Sequence, residues 1–253
     1  MSNAIEVVNL EKTYVRFRRP PVRALDGLTF SVPSGGIFGL LGPNGAGKST
    51  TIRILTTLIK PTGGHAAVAG VDVLKHPLDV RRRISVVIQE QASELFLTVR
   101  DNLVTYARFH GLRGTVVDRR VDEVLEQFGL QKEAGRKTQD LSGGYRRRVQ
   151  VAKTFLVDTP ILFLDEFSTG MDTILKRSVM DLLRGAAKKG RTIVLTTHIL
   201  HEAEELCDDL LIISGGREVA RGDMQSLKQS SGGTTLEDVF VRLMAEEAEE
   251  GAK

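Results

Sequence analysis

The chain has 253 residues, 41% apolar and 26% charged, enough for an ordinary buried core, which argues against disorder. Thirty-five basic residues against 32 acidic ones leave a net charge of +3, too nearly balanced to argue for a nucleic-acid partner. Cys207 is the sole cysteine, so neither an internal disulfide nor a cysteine-based zinc or iron–sulfur site can form within the chain, which fits a reducing cytoplasm.

Met1 to Glu6 lacks the charged and apolar regions of a secretory signal, and no run approaches the roughly 20 apolar residues of a membrane span. Any membrane role is expected to come through a partner. Ile5-Glu6-Val7-Val8 and Leu28-Thr29-Phe30-Ser31-Val32, broken by Pro20-Pro21, Asp26-Gly27 and Pro33-Ser34-Gly35-Gly36, predict antiparallel β structure. Ile37 to Leu41 predicts a buried strand and Ser49 to Leu58 a helix, ended before Pro61. Ile84 to Ile88 predicts a second strand stopping at Gln89. Residues 91 to 140 change texture: Thr98 caps a helix with Leu103, Tyr106 and Ala107 on one face, and Val117, Val121, Val124, Leu125 and Phe128 mark another ended by Gly129. A helix through about Val157 follows the Ser142-Gly143-Gly144 turn, then the strand Ile161 to Leu164, a helix to about Lys188, and strands over Thr192 to Thr196 and Leu210 to Ser214. This alternation predicts a largely parallel sheet. The acidic end, from Ala245, reads as a fraying helix.

Between the first predicted buried strand and its helix lies Gly42-Pro43-Asn44-Gly45-Ala46-Gly47-Lys48-Ser49-Thr50, a complete phosphate-binding loop. Its glycines let backbone N–H groups converge on phosphate oxygens at a helix N-terminus, Lys48 reaches the β- and γ-phosphates, and Ser49 ligates Mg²⁺. The run Ile161-Leu162-Phe163-Leu164-Asp165-Glu166 delivers two carboxylates to a strand's C-terminal end, where ligands bind in such sheets. Asp165 is suited to hold Mg²⁺, and Glu166 to polarise an attacking water, because the loop supplies electrostatics but no base. Leu141-Ser142-Gly143-Gly144 is a second glycine turn opening a helix, an anion site with no lysine of its own.

Taken in order, the phosphate loop, Gln89 after a strand, Leu141-Ser142-Gly143-Gly144, Asp165-Glu166, Ser168-Thr169-Gly170-Met171-Asp172 and His198 after a strand resemble the nucleotide-binding subunit of ATP-binding-cassette (ABC) transporters over nearly the whole chain. The resemblance implies an α/β P-loop NTPase fold with a RecA-like parallel-sheet core, an N-terminal antiparallel β subdomain and an inserted α-helical subdomain. It implies one domain over residues 1–240, with β subdomain and core over about 1–90 and 158–225, helices over about 91–157, and an acidic tail at 241–253. It also implies site roles: Tyr14 stacking on adenine; Gly42, Asn44, Gly45, Ala46, Gly47, Lys48, Ser49 and Thr50 around the phosphates of ATP; Ser49, Gln89 and Asp165 on Mg²⁺; and Gln89, Glu166, His198 and Lys48 in catalysis. Ser142, Gly143 and Gly144 are expected on the γ-phosphate held by an opposing subunit, with Asp172 at the seam.

Implied partners are a second copy or a paralogue, joined head to tail through the ATP sites, and a separate transmembrane permease holding the chain at the inner face of the membrane. Leu97 to Leu103, Tyr106 to Leu112 and Leu236-Glu237-Asp238-Val239-Phe240 resemble the drug- and antibiotic-export branch, often called ABC-2 type. Two positions depart from the common pattern: Phe167 stands where proline usually follows the glutamate, and Tyr145 where Gln or Met follows the signature glycines. The competing reading is a soluble ABC ATPase of iron–sulfur assembly or nucleic-acid metabolism. No coiled coil, zinc module, second cassette or Asn-Lys-x-Asp guanine motif is present to favour it or a GTPase.

Overall fold

A computed structural model describes residues 2–88 and 93–250. The chain opens with a long antiparallel pair, β1 (Asn3–Arg16) and β2 (Arg19–Pro33). Strand β3 (Gly36–Leu41) follows and runs through the phosphate loop into α1 (Lys48–Leu55). Then come β4 (Gly63–Val68), β5 (Val71–Asp72), α2 (Pro77–Arg82) and β6 (Ile84–Val87). Helices α3 (Val99–Phe109), α4 (Thr115–Gln127) and α5 (Gly143–Lys153) lie between β6 and β7 (Ile161–Asp165). The remainder is α6 (Thr173–Lys188), β8 (Thr192–Thr197), α7 (Leu200–Leu206), β9 (Asp209–Ser214), β10 (Arg217–Gly222), α8 (Met224–Ser231) and α9 (Leu236–Glu250).

Two sheets result. One is antiparallel, in the order β2-β1-β4-β5; the other runs β10-β9-β3-β8-β7-β6, parallel except for β10 at its edge. The strand period of two sorts the larger sheet's side chains onto two faces. Ile37, Leu162, Leu164, Ile193 and Leu195 pack with α3, α4, α5 and α6 on one face. Phe38, Leu40, Ile161, Phe163 and Val194 pack on the other with α1 and the antiparallel sheet. Both faces are covered, which is why these strands read as unbroken apolar runs. A smaller core seats α8 and α9 against β9.

Two helices stop earlier than their sequence pattern suggests, for different reasons. Helix α1 ends at Leu55 rather than Leu58 because Thr57 enters the left-handed region (φ 63°); its N–H reaches the Ile54 carbonyl and that of Leu58 the Arg53 carbonyl, a Schellman stop built without glycine. Helix α5 ends at Lys153 rather than about Val157. Arginines from elsewhere take the carbonyls beyond it: Arg120 holds those of Phe155 and Leu156, and Arg191 those of Thr154 and Thr159. The strands β4, β5 and β10 carry too few apolar residues to announce themselves. They form because β1, β4 and β9 in turn offer open edges for pairing.

Candidate nucleotide site

Three neighbouring parallel strands end level with one another, Leu41 opposite Thr197 and Thr196 opposite Asp165. The phosphate loop, His198 and the Asp165-Glu166 pair therefore emerge side by side at the sheet's C-terminal edge. The loop's shape depends on missing side chains. A Cβ on Gly42 would meet the Ile213 carbonyl at 2.3 Å, and one on Gly47, where φ is +107°, would meet the Ala24 carbonyl at 2.6 Å. Asn44 and Gly45 at the tip are exposed, Ala46 is buried beneath, and α1 begins at Lys48 with Ser49 and Thr50 in its first turn.

The Lys48 ammonium is nearly buried (6% exposed) and lies across the loop, donating to the carbonyls of Gly42 at 2.7 Å and Pro43 at 3.0 Å. Burial pushes its pKa below the ordinary lysine value, and the charges of Glu166 and Asp165 offset part of that. Asp165, 2% exposed, accepts through one oxygen from Ser49 Oγ at 3.2 Å and from Thr196 Oγ1. Two hard oxygen donors at the mouth of a phosphate cradle, Ser49 Oγ and the Asp165 carboxylate, are suited in chemistry to Mg²⁺. Among the described residues no cluster of three or more His, Cys, Asp or Glu that could hold a metal is present.

Glu166 is in the left-handed region at φ 51°, unusual for a residue with a Cβ. The Thr196 backbone carbonyl and hydroxyl both accept its N–H at 3.2 Å, and Arg147 of α5 donates to the carbonyls of both Asp165 and Glu166. That bracing sustains the strained turn and aims the carboxylate at His198, whose Nδ1 lies 3.1 Å from Glu166 Oε1. His198 remains half exposed. Tyr14 sits at the rim, its hydroxyl 3.4 Å from that of Thr50 and the Lys12 ammonium 5.2 Å from its ring centre.

Ser142 caps α5, accepting the Tyr145 N–H at 3.4 Å, and it and Gly143 are exposed. This turn rests on the loop ahead of α6: a Cβ on Gly144 would meet the Gly170 carbonyl at 2.5 Å. Among the described residues no hydrogen bond or ion pair joins it to the Gly42–Thr50 loop of its own chain. Asp172 caps α6 through the Leu175 N–H at 2.9 Å and faces outward. Phe167 is fully buried in the core, and Tyr145 is partly buried against it. Gln89 lies outside the described residues; the carbonyl of Ile88 before it accepts from Arg147 at 2.7 Å. Sequence reasoning passed over Thr196 and Arg147, since a strand threonine and one of three consecutive arginines carry no motif.

Strand, glycine cradle, helix and a buried carboxylate at the end of the strand next but one define a P-loop nucleotide-binding protein. A family model described as ABC transporter matches residues 25–169. Over 235 residues the chain is 43% identical to the daunorubicin/doxorubicin resistance ATP-binding protein of Streptomyces peucetius, an alignment covering 93% of this chain and 70% of that protein. Over 231 residues it is 38% identical to the Nod factor export ATP-binding protein I of Cupriavidus pinatubonensis, covering 91% and 71%. A solved dimeric ATP-binding cassette in a post-hydrolysis state with ADP and Pi superimposes with a TM-score of 0.81 at 25% identity, covering 87% of this chain and 98% of that one. The chain belongs to the ABC transporter family, as an ATP-binding and ATP-hydrolysing subunit.

Proposed function

We propose that the chain is the ATP-driven motor of an exporter, working as a pair of copies on a separate membrane permease. The observation that carries the reading is the meeting of Lys48, Ser49, Asp165, Glu166 and His198 at three adjacent strand ends. The export role is supported by the relatives, which are named for drug resistance and Nod factor export. The reading places this chain peripheral on the cytoplasmic side of the permease; among the described residues no helix is long and apolar enough to cross a membrane.

In this reading Tyr14 stacks on the adenine, and the N–H groups of Gly42 to Thr50 together with Lys48 bind the phosphates. Mg²⁺ neutralises phosphate charge when bound, and Ser49, Asp165 and Gln89 are the residues to hold it. Glu166 accepts hydrogen bonds from the attacking water and orients it, while His198 contacts the γ-phosphate and keeps Glu166 in place. The Ser142-Gly143-Gly144 turn, with Ser142 and Gly143 exposed, completes the site of an opposing copy, and Asp172 lies at the seam, so a two-fold pair satisfies both half-sites. The β1–β2 hairpin and the larger sheet form the nucleotide-gripping part, and α3, α4 and α5 form the helical part that moves with the permease.

Glu166→Gln tests the assignment. The variant is expected to bind ATP, accumulate as a stable dimer in size-exclusion chromatography and hydrolyse very slowly. A monomeric variant that still turns over would refute the roles of Glu166 and of the signature turn. A tagged chain should also recover an integral membrane protein from detergent-solubilised membranes; recovery of soluble proteins or nucleic acid alone would favour the non-transport reading.

A further inference from the structure

Beside the nucleotide-facing residues, a second carboxylate is buried without being aimed at the phosphate cradle. Glu202, in the first turn of α7, is 2% exposed. Its Oε2 accepts from Ser168 Oγ at 2.7 Å and from Thr197 Oγ1 at 3.4 Å. The Lys176 ammonium stands 3.0 Å from Oε1, near enough to neutralise it although not aligned as a hydrogen bond. A carboxylate removed from water needs this much compensation.

All three partners sit on segments that carry the site. Ser168 comes two residues after Glu166, in the loop that ends at Asp172. Thr197 immediately precedes His198, and its Oγ1 also accepts the Ile199 N–H at 2.9 Å, so the histidine is gripped from both sides. Lys176 lies in the first turn of α6 and bonds through its N–H to the Asp172 carbonyl at 2.9 Å. The Ser168 and Glu202 side chains are nearly buried, so solvent does not loosen these bonds.

We propose that Glu202 is a positioning residue for ATP hydrolysis, clamping the loop from Glu166 to Asp172 onto the turn that carries His198. The clamp sets the 3.1 Å contact between Glu166 and His198. It also links the outward-facing Asp172 to His198 through a short chain of contacts: the backbone bond from Lys176 to Asp172, the ion pair of Lys176 with Glu202, and the bond from Thr197 to Glu202. Movement of the seam on pairing is thereby transmitted to the catalytic pair. The proposal rests on the roles given above to Glu166 and His198.

Ser168→Ala removes one hydroxyl and leaves the Glu202–Lys176 pair intact. It should lower kcat at least tenfold, leave ATP affinity within twofold of the parent and displace the His198 ring resonance in NMR spectra, while Ser168→Thr, which retains the hydroxyl, restores the turnover and the resonance. Thr197→Val, cutting the longer bond, should give a smaller loss in the same direction. A kcat within twofold of the parent, an unmoved His198 resonance, or a threonine variant behaving like the alanine one would overturn the clamp. His198→Ala identifies the resonance and separates the two readings. If that variant keeps full turnover, the role of His198 is wrong; if it is inactive while Ser168→Ala is fully active, only the clamp is wrong.

Discussion

Adding a single methyl group at Gly144 tests whether the signature turn and the loop ahead of α6 act as one rigid piece. The new Cβ of Gly144→Ala would lie 2.5 Å from the Gly170 carbonyl oxygen and 3.1 Å from the Met171 Cα, both backbone atoms that no rotamer change can remove. Restoring an optimal separation of roughly 3.5 Å requires about 1 Å of movement, either of the loop or of the α5 N-terminus. A misplacement of about 1 Å typically costs around 100-fold in rate when it shifts positioned groups. The phosphate loop of the same chain is not hydrogen-bonded to this turn, so its own grip on ATP should be unchanged. We therefore expect kcat to fall about 100-fold with single-site ATP affinity within twofold, and the ATP-dependent dimer to be lost in a Glu166→Gln background. Steady-state ATPase assays, fluorescent-nucleotide titration and size-exclusion chromatography read these quantities. Normal turnover, or a matching loss of nucleotide affinity, would refute the reasoning.

Three other perturbations have defined outcomes. Thr196→Val deprives the buried Asp165 carboxylate of a hydroxyl donor and should destabilise the chain by about 2 kcal/mol in urea titration, the usual range for a hydrogen bond to a charged group; a change below about 0.5 kcal/mol would count against it. Burial pushes the Lys153 pKa down to about 8, so above that pH the folded chain releases a proton that the unfolded chain keeps until about 10.5. Stability contributed at this position must rise with pH across that window, and the advantage of Lys153→Met over the parent should be largest at pH 7 and shrink by pH 10. The partly buried Cys207 has its sulfur against the Gly39 backbone, and loss of water contact, aided by nearby Asp208 and Asp209, raises its pKa strongly. Iodoacetamide should label it far more slowly in the folded chain than after denaturation, as mass spectrometry would show.

Chemistry confined to a few consecutive residues was legible before any coordinates. A glycine loop between a strand and a helix, and an apolar run ending in two carboxylates, state their geometry locally, because period and flanking residues dictate where each side chain emerges. Helix ends were less legible. The stop of α5 is made by Arg120 and Arg191 from distant segments, and that of α1 by a threonine in a conformation normally left to glycine.

The order of motifs along the chain determined the family, the phosphate cradle and the alternation of strand and helix. Tertiary structure alone decided which strand ends lie side by side, and with them the contact between Glu166 and His198, 32 positions apart. It also assigned Thr196, Arg147, Ser168 and Glu202 to the support of that contact. The physical reason is that a hydrogen bond between strands depends on sheet order and register, which are settled by the packing of both sheet faces and leave no local mark on the residues that make it.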